Sequence, residues 1–202
     1  MKFSVRRFQY LAIIGLVIVV SMKPGGLGAE RDQEDFFMDV LFDFVGDSPN
    51  PAWPSVNDGV MGGISRGGAS IVPEGMRFKG ILSLENNGGF SSIRRNVELD
   101  LSGYRGIAFQ VRGDGRTYDL RIESNARLWG RWPVSFGSKF ETQRDEWIEV
   151  RVPFDTLNQT WRGRQLEGYN FDPSKIQMLG FLIGDKSPGE FQLEIARVSA
   201  FR

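Results

Sequence analysis

The sequence predicts an all-β fold, a jelly-roll sandwich of about nine or ten short strands. Apolar and polar residues alternate with period two in one segment after another, the pattern of a strand with one buried face. Glycine and proline, 25 and 9 of the 202 residues, punctuate these segments at short intervals. Beyond the N-terminal region, no segment spaces its apolar residues at the 3.6-residue period of an amphipathic helix. Half-buried strands of this kind close a core by packing two sheets face to face. The roughly 172 residues after position 30 suffice for one such domain, burying about 70% of their extended surface without covalent staples.

In chain order, residues 1–29 read as a signal peptide or N-terminal anchor. Lys2, Arg6 and Arg7 precede Leu11–Met22, a run without charge, and Gly25, Gly26, Gly28 and Ala29 supply small residues for a cleavage region. As a helix that run spans about 18 Å, short of the ~30 Å hydrocarbon core, so a cleaved export signal is the first expectation and an uncleaved anchor the second. Residues 30–39 form a polar lead-in, and residues 40–202 make up the domain. Met38–Val45 is its first apolar stretch, broken by Asp47-Ser-Pro-Asn-Pro-Ala52.

Residues 53–66 set Trp53, Val56, Val60, Met61 and Ile64 among Pro54, Asn57, Asp58, Gly59, Gly62 and Gly63. Turn formers this dense exclude a regular helix or strand, and a solvated linker does not need five apolar groups. The expectation is a loop folded onto the core, with Trp53, Val56, Val60 and Met61 plugging one end of the sandwich. Ala69–Val72 is a short strand stopped by Pro73-Glu74-Gly75. Met76–Leu84 then alternates cleanly. Asn86-Asn87-Gly88-Gly89 offers the positive φ angles of a tight hairpin, with Phe90–Leu99 as its return strand.

Ile107, Phe109 and Val111 alternate up to Gly113-Asp114-Gly115, which reads as a second hairpin leading into Tyr118, Leu120 and Ile122. Residues 125–146 show no clean period. Ile148, Val150 and Val152 restore it until Pro153, and Asp155–Tyr169 is irregular. Ile176–Ile183 is nearly all apolar, as a central strand covered on both faces should be. Ser187-Pro-Gly189 turns into the last strand, Phe191, Leu193 and Ile195, which continues to Phe201 after a register slip near Arg197.

Composition narrows the chemistry. The chain has no cysteine and no histidine, which removes disulfides, Ser-His and Cys-His nucleophile pairs and ordinary zinc sites. After residue 30 there remain 21 basic and 24 acidic side chains, a net charge of −3, which argues against a nucleic-acid binder. No cofactor is expected, and a membrane would be met only through an uncleaved leader.

Trp53…Val56-Asn-Asp-Gly-Val-Met-Gly-Gly-Ile-Ser65 resembles the signature loop of the complex I intermediate-associated protein 30 family. Phe78-Lys-Gly80, Leu84–Ser92, Arg112–Arg116 with Tyr118, Val152-Pro-Phe154, Trp161-Arg-Gly163 and Gly189–Ile195 follow in the family's order. The resemblance spans about residues 40–202. It implies a galactose-binding-like jelly roll, in agreement with the strand pattern, and a non-catalytic assembly factor that binds a protein partner. The leader differs from a mitochondrial presequence, and the expected location is outside a bacterial cytoplasm, periplasmic or secreted.

The candidate site residues fall into four groups. Asn57, Asp58 and Asn86 either order turns or line a ligand cleft. Asp58 and Asp114 are weak calcium candidates, without the acidic spacing of a dedicated site. Arg127, Trp129, Arg131 and Trp132 could stack a sugar or peptide; burial of the two tryptophans under arginine stems is the blander expectation. Arg162, in Trp161-Arg-Gly163, is a further candidate for ligand or partner binding. Arg112, with Arg94 and Arg121, falls on the polar phase of its strand, either as part of a patch or in cross-strand ion pairs. Carbohydrate binding is the alternative function, and a glycoside hydrolase resting on two carboxylates is a third.

Overall fold

Residues 38–46 and 52–202 are described by a computed structural model. The leader expected at residues 1–29 and most of the lead-in at 30–39 lie outside the described residues. Thirteen strands run through the described residues: β1 (Met38–Asp43), β2 (Ser55–Asn57), β3 (Arg66–Val72), β4 (Gly75–Leu82), β5 (Ser91–Leu99), β6 (Gly106–Gly113), β7 (Thr117–Leu128), β8 (Trp132–Glu141), β9 (Trp147–Pro153), β10 (Asn158–Trp161), β11 (Arg164–Gln165), β12 (Ile176–Ile183) and β13 (Gly189–Phe201). The count exceeds the nine or ten read from alternation because β2, β10 and β11 have three, four and two residues, too few for a period to register.

The strands form two antiparallel sheets. One orders β3-β4-β13-β6-β9, with β1 also pairing β13, and the other orders β11-β10-β8-β7-β12-β5-β2. The long β13 organises the first sheet, and its pairing with β6 slips between Ile195 and Arg197 as the sequence suggested. β12 lies centrally in the second sheet between β7 and β5. Among the described residues no helix is long and apolar enough to cross a membrane.

Both hairpins expected at Asn-Gly and Asp-Gly turns are absent. Residues 86 and 87 do take positive φ, 55° and 59°, yet β4 and β5 lie in different sheets, as do β6 and β7. Alternation reports that a strand has a buried face and is silent on which sheet it joins. The two turns carry the chain across the sandwich, and the local hairpins are β3–β4, β7–β8 and β10–β11.

Inward residues of the two sheets meet in one core. Phe109 of the first sheet packs edge-on against Phe140 and Phe181 of the second, at ring separations of 4.9 and 5.3 Å. Trp53 caps this array, 5.4 Å from Phe42, 5.8 Å from Phe44 and 6.1 Å from Phe181. It is buried as expected, and its indole Nε1 has no hydrogen-bond partner. A smaller cluster of Leu128, Val134 and Phe136 lies under the β10–β11 hairpin, covered by Trp161, Tyr169 and Phe171. Trp53→Ala opens a cavity in the array and is expected to cost about 3–5 kcal/mol of stability, read from the urea unfolding midpoint.

Candidate functional site

The loop between β2 and β3 is built around Asp58, which is fully buried. Its Oδ1 accepts the Ser65 N–H at 2.9 Å, and its Oδ2 accepts the Ser65 hydroxyl at 2.5 Å, the Gly89 N–H at 2.6 Å and the Phe90 N–H at 3.3 Å. The Ser65 oxygen in turn accepts the Ser83 N–H at 3.0 Å. One carboxylate therefore ties the loop to β4's exit and to the turn that enters β5. Burial alone would push this carboxyl up, but the hydrogen bonds from Ser65, Gly89 and Phe90 outweigh it and hold Asp58 below the ordinary range. The backbone has to come close for these bonds to form. A Cβ at Gly63 would fall inside the Asp58 side chain, and one at Gly88 would sit 2.6 Å from its Oδ2.

With the loop fixed from beneath, its apolar residues point outward. Val60 is 76% exposed, Met61 56% and Ile64 47%. The expected plug is thus corrected: Trp53 is buried and Val56 half-buried, but Val60 and Met61 are not in the core. They stand on a short 3-10 turn, Asp58–Met61, whose inward position is spent on the carboxylate. Ile81, paired with Arg66, and Leu84 are also exposed and extend the apolar surface along β4. A cleft of about 560 Å³ adjoins it, lined by Lys79, Ile81, Asp114, Arg116, Arg144 and Glu190.

Several candidate residues are structural. Asn57 bridges β5 and β3, accepting from the Ser91 hydroxyl at 2.6 Å and donating to the Gly67 carbonyl at 3.2 Å. Asn86 is an exposed turn residue. Arg112 and Arg77 flank the buried Glu194 from β6 and β4, and Arg112 also lies 5.1 Å over the Trp147 ring. Burial would push the Glu194 carboxyl up, but Arg77 and Arg112 together bring it below its ordinary value. This cross-strand triad is the bland account of Arg112, with Glu194 a partner the sequence did not suggest. Asp114 accepts the Gln192 N–H at 2.8 Å, the Arg116 N–H at 3.1 Å and the Tyr118 hydroxyl at 3.1 Å. Asp58 and Asp114 thus face N–H and O–H donors, where calcium needs a shell of oxygen lone pairs. No group of three potential metal ligands occurs among the described residues.

The arginine–tryptophan segment corrects the expected burial. Arg127 is drawn inward, donating to the Ser124 and Ala126 carbonyls and to Gln177. Trp129 is 77% exposed and Trp132 37%. Trp129 meets Trp161 edge-on at 5.9 Å, Arg131 lies 4.9 Å over Trp132, and Arg162 lies 5.8 Å from Trp132 and 5.0 Å from Trp161. The pairing of β10 with β8 brings the two hairpin tips together. Trp161 was visible in the sequence as part of Trp-Arg-Gly but carried no signal of its neighbours.

The outer face of the seven-stranded sheet carries Arg94, Asp119, Arg121, Glu123 and Lys139, and its strand positions hold no aromatic ring. Burial raises the Asp119 and Glu123 carboxyls and lowers the Arg94 guanidinium. Asp119 and Glu123 are four residues apart on β7, roughly 13 Å along the strand. The carboxyl pair of a glycosidase sits within about 9.5 Å.

The sandwich is of the class used by carbohydrate-binding modules. A family 11 module of a cellulosomal cellulase of Clostridium thermocellum superposes with a TM-score of 0.61 and 15% identity, covering 81% of this chain and 94% of the module. An agarase superposes with a TM-score of 0.54 and 13% identity over 80% of this chain and 24% of the enzyme. At these identities the likeness is one of fold. Residues 42–195 match the family Complex I intermediate-associated protein 30 (CIA30), and the chain belongs to it. The mitochondrial complex I intermediate-associated protein 30 of Mus musculus is 28% identical over 113 residues, 54% of this chain and 34% of that protein. The probable counterpart of Caenorhabditis elegans is 28% identical over 97 residues, 47% of this chain and 28% of that protein. The match therefore spans about a third or less of these relatives' length.

Asp58→Asn leaves one of the facing donors unpaired and is expected to cost about 3 kcal/mol in urea unfolding. Asp58 and Glu194 both titrate below their ordinary values of 3.8 and 4.5, so their stabilisation is complete above those values and is withdrawn as the pH falls through the lower folded ones. Asp119 and Glu123, whose carboxyls burial raises, act in the opposite sense, so unfolding midpoints should hold or rise slightly towards about pH 5 and fall below about pH 4. The acid fall should be shallower in Asp58→Asn.

Proposed function

We propose that this chain is a non-catalytic protein-binding factor acting in the assembly of a protein complex. The observation that carries this reading is the loop over Asp58. Val60, Met61 and Ile64 are presented to solvent by a backbone that a buried carboxylate holds fixed. A rigid apolar protrusion has no stabilising role where it stands, and exposed apolar patches of this kind mark contact surfaces. The relatives named for association with a complex I intermediate supply the class of partner, an incompletely assembled multisubunit protein. Leader-like residues 1–29 support action outside a bacterial cytoplasm. Carbohydrate binding rests on the fold and on the exposed Trp129–Trp132 segment, and the ring-free outer face of the seven-stranded sheet does not favour it.

A photo-crosslinking residue placed at Val60 or Met61, in cells of the source organism, should give a discrete adduct with the same protein on repetition. The same probe at Ile71, an exposed apolar residue at the far end of β3, should not. Val60→Asp with Met61→Asp should abolish the adduct formed from Ile64 while leaving the thermal midpoint unchanged within about 2 °C. Equal adduct yields from Ile71 and Val60, or none from either, would overturn the assignment.

A further inference from the structure

We propose that the paired tips of β7–β8 and β10–β11 form a contact site for an anionic lipid surface. The turn Leu128–Arg131 is closed by the Arg131 N–H donating to the Leu128 carbonyl at 3.1 Å, and its central residues Trp129 and Gly130 have φ of 52° and 69°. Arg162 and Gly163, between the paired Trp161 and Arg164, have φ of 49° and 76°. Both are turns in which asparagine and glycine are the unstrained choices. A tryptophan at positive φ is a backbone outlier, and such strain persists where another requirement fixes the residue. Here the strained side chain is also, among the described residues, the most exposed of the large apolar ones, at 77%.

Around it the tips gather Trp132, Trp161, Arg131, Arg162 and Arg164. Among the described residues no carboxylate lies within ion-pair distance of these three arginines, in a domain (residues 40–202) whose 20 basic and 20 acidic side chains balance. Uncompensated cations collected at one point of a domain with no net charge are complementary to an anionic surface. Indoles with a polar N–H and an apolar body are the side chains that settle at the headgroup level of a bilayer. The shape favours a surface over a sugar. Trp129 and Trp161 cross at 64°, so they offer no common platform for stacking a ring, and they project from hairpin tips where small-molecule sites are concave. Strand register puts these tips at the end of the seven-stranded sheet opposite Asp58, because Ser91, Ile183 and Tyr118 align at one end and Asn96, Met178 and Glu123 at the other. The site is therefore separate from the apolar loop and compatible with its simultaneous use.

The test is quenching of tryptophan emission by brominated lipids, using the full-length chain. The five tryptophans all lie after residue 52, so contact of the N-terminal segment with lipid is silent in this readout. Quenching should be strong in mixed phosphatidylcholine–phosphatidylglycerol vesicles, weak in phosphatidylcholine alone and reduced by added salt. Trp129→Asn relieves the turn, so it should melt within about 4 °C of the parent while losing most of the quenching. Arg131→Ala with Arg162→Ala should raise the lipid concentration needed for half-maximal quenching about thirtyfold, roughly fivefold per cation. Parent-like quenching in Trp129→Asn, or quenching that ignores lipid charge, would overturn the proposal. So would an emission shift induced by a polyuronate or an acidic peptide but not by vesicles.

Discussion

The carboxylate of Asp58 accepts four hydrogen bonds from Ser65 in its own loop and from Gly89 and Phe90 some thirty residues on, and the loop over it has its shape for that reason. A charge taken fully out of water is tolerable only when donors converge on it. Ser65, Gly89 and Phe90 provide them, and the cost of leaving any one unmade keeps the arrangement singular. Much of the glycine around the loop follows from this one requirement. Donors must approach within bonding distance from several sides, and side chains at positions 63 or 88 would occupy the space of the carboxyl group. The same bonds steer the chain out of β4 and into the opposite sheet, so the constraint is topological as well as local.

Fixing the loop from below frees its upper side. In most small domains valine and methionine on a tight turn would fold inward, but here the inward position is filled by an aspartate. Val60, Met61 and Ile64 are left standing on a rigid base, which is what a binding surface needs if little ordering entropy is to be lost on contact. At the other end of the sheet a different device, two turns held at positive φ, raises indoles and guanidinium groups from the surface. The body between them is a scaffold, several of whose ionic groups pair with each other, as in the Arg77–Glu194–Arg112 triad.

The sequence made the members of these sites visible in unequal measure. Asp58 was visible as a turn former and a candidate to order a turn or line a cleft, and the Trp-Gly-Arg-Trp run stood out by composition. Which way each would face did not. Val60 and Met61 looked like core because apolar residues in a loop usually are, and Trp129 and Trp132 looked buried on the same ground. Hydrophobicity is a tendency of a side chain, whereas exposure is settled by what already fills the space beneath. Trp161 and Arg162 joined Trp132 only because β10 pairs with β8, a contact between strands too short to show a period.

By itself the sequence determined the fold class, the family, the positions of most strands and the exclusion of histidine- and cysteine-based chemistry. These depend on local periodicity, on turn residues and on composition, which are properties of short segments. The tertiary structure decided which strands share a sheet, why two apparent hairpins are crossovers, and which apolar residues meet solvent. Those depend on groups brought together from opposite ends of the chain. A single buried carboxylate could turn a loop inside out because its partners, at positions 65, 89 and 90, are assembled by the fold and by nothing nearer.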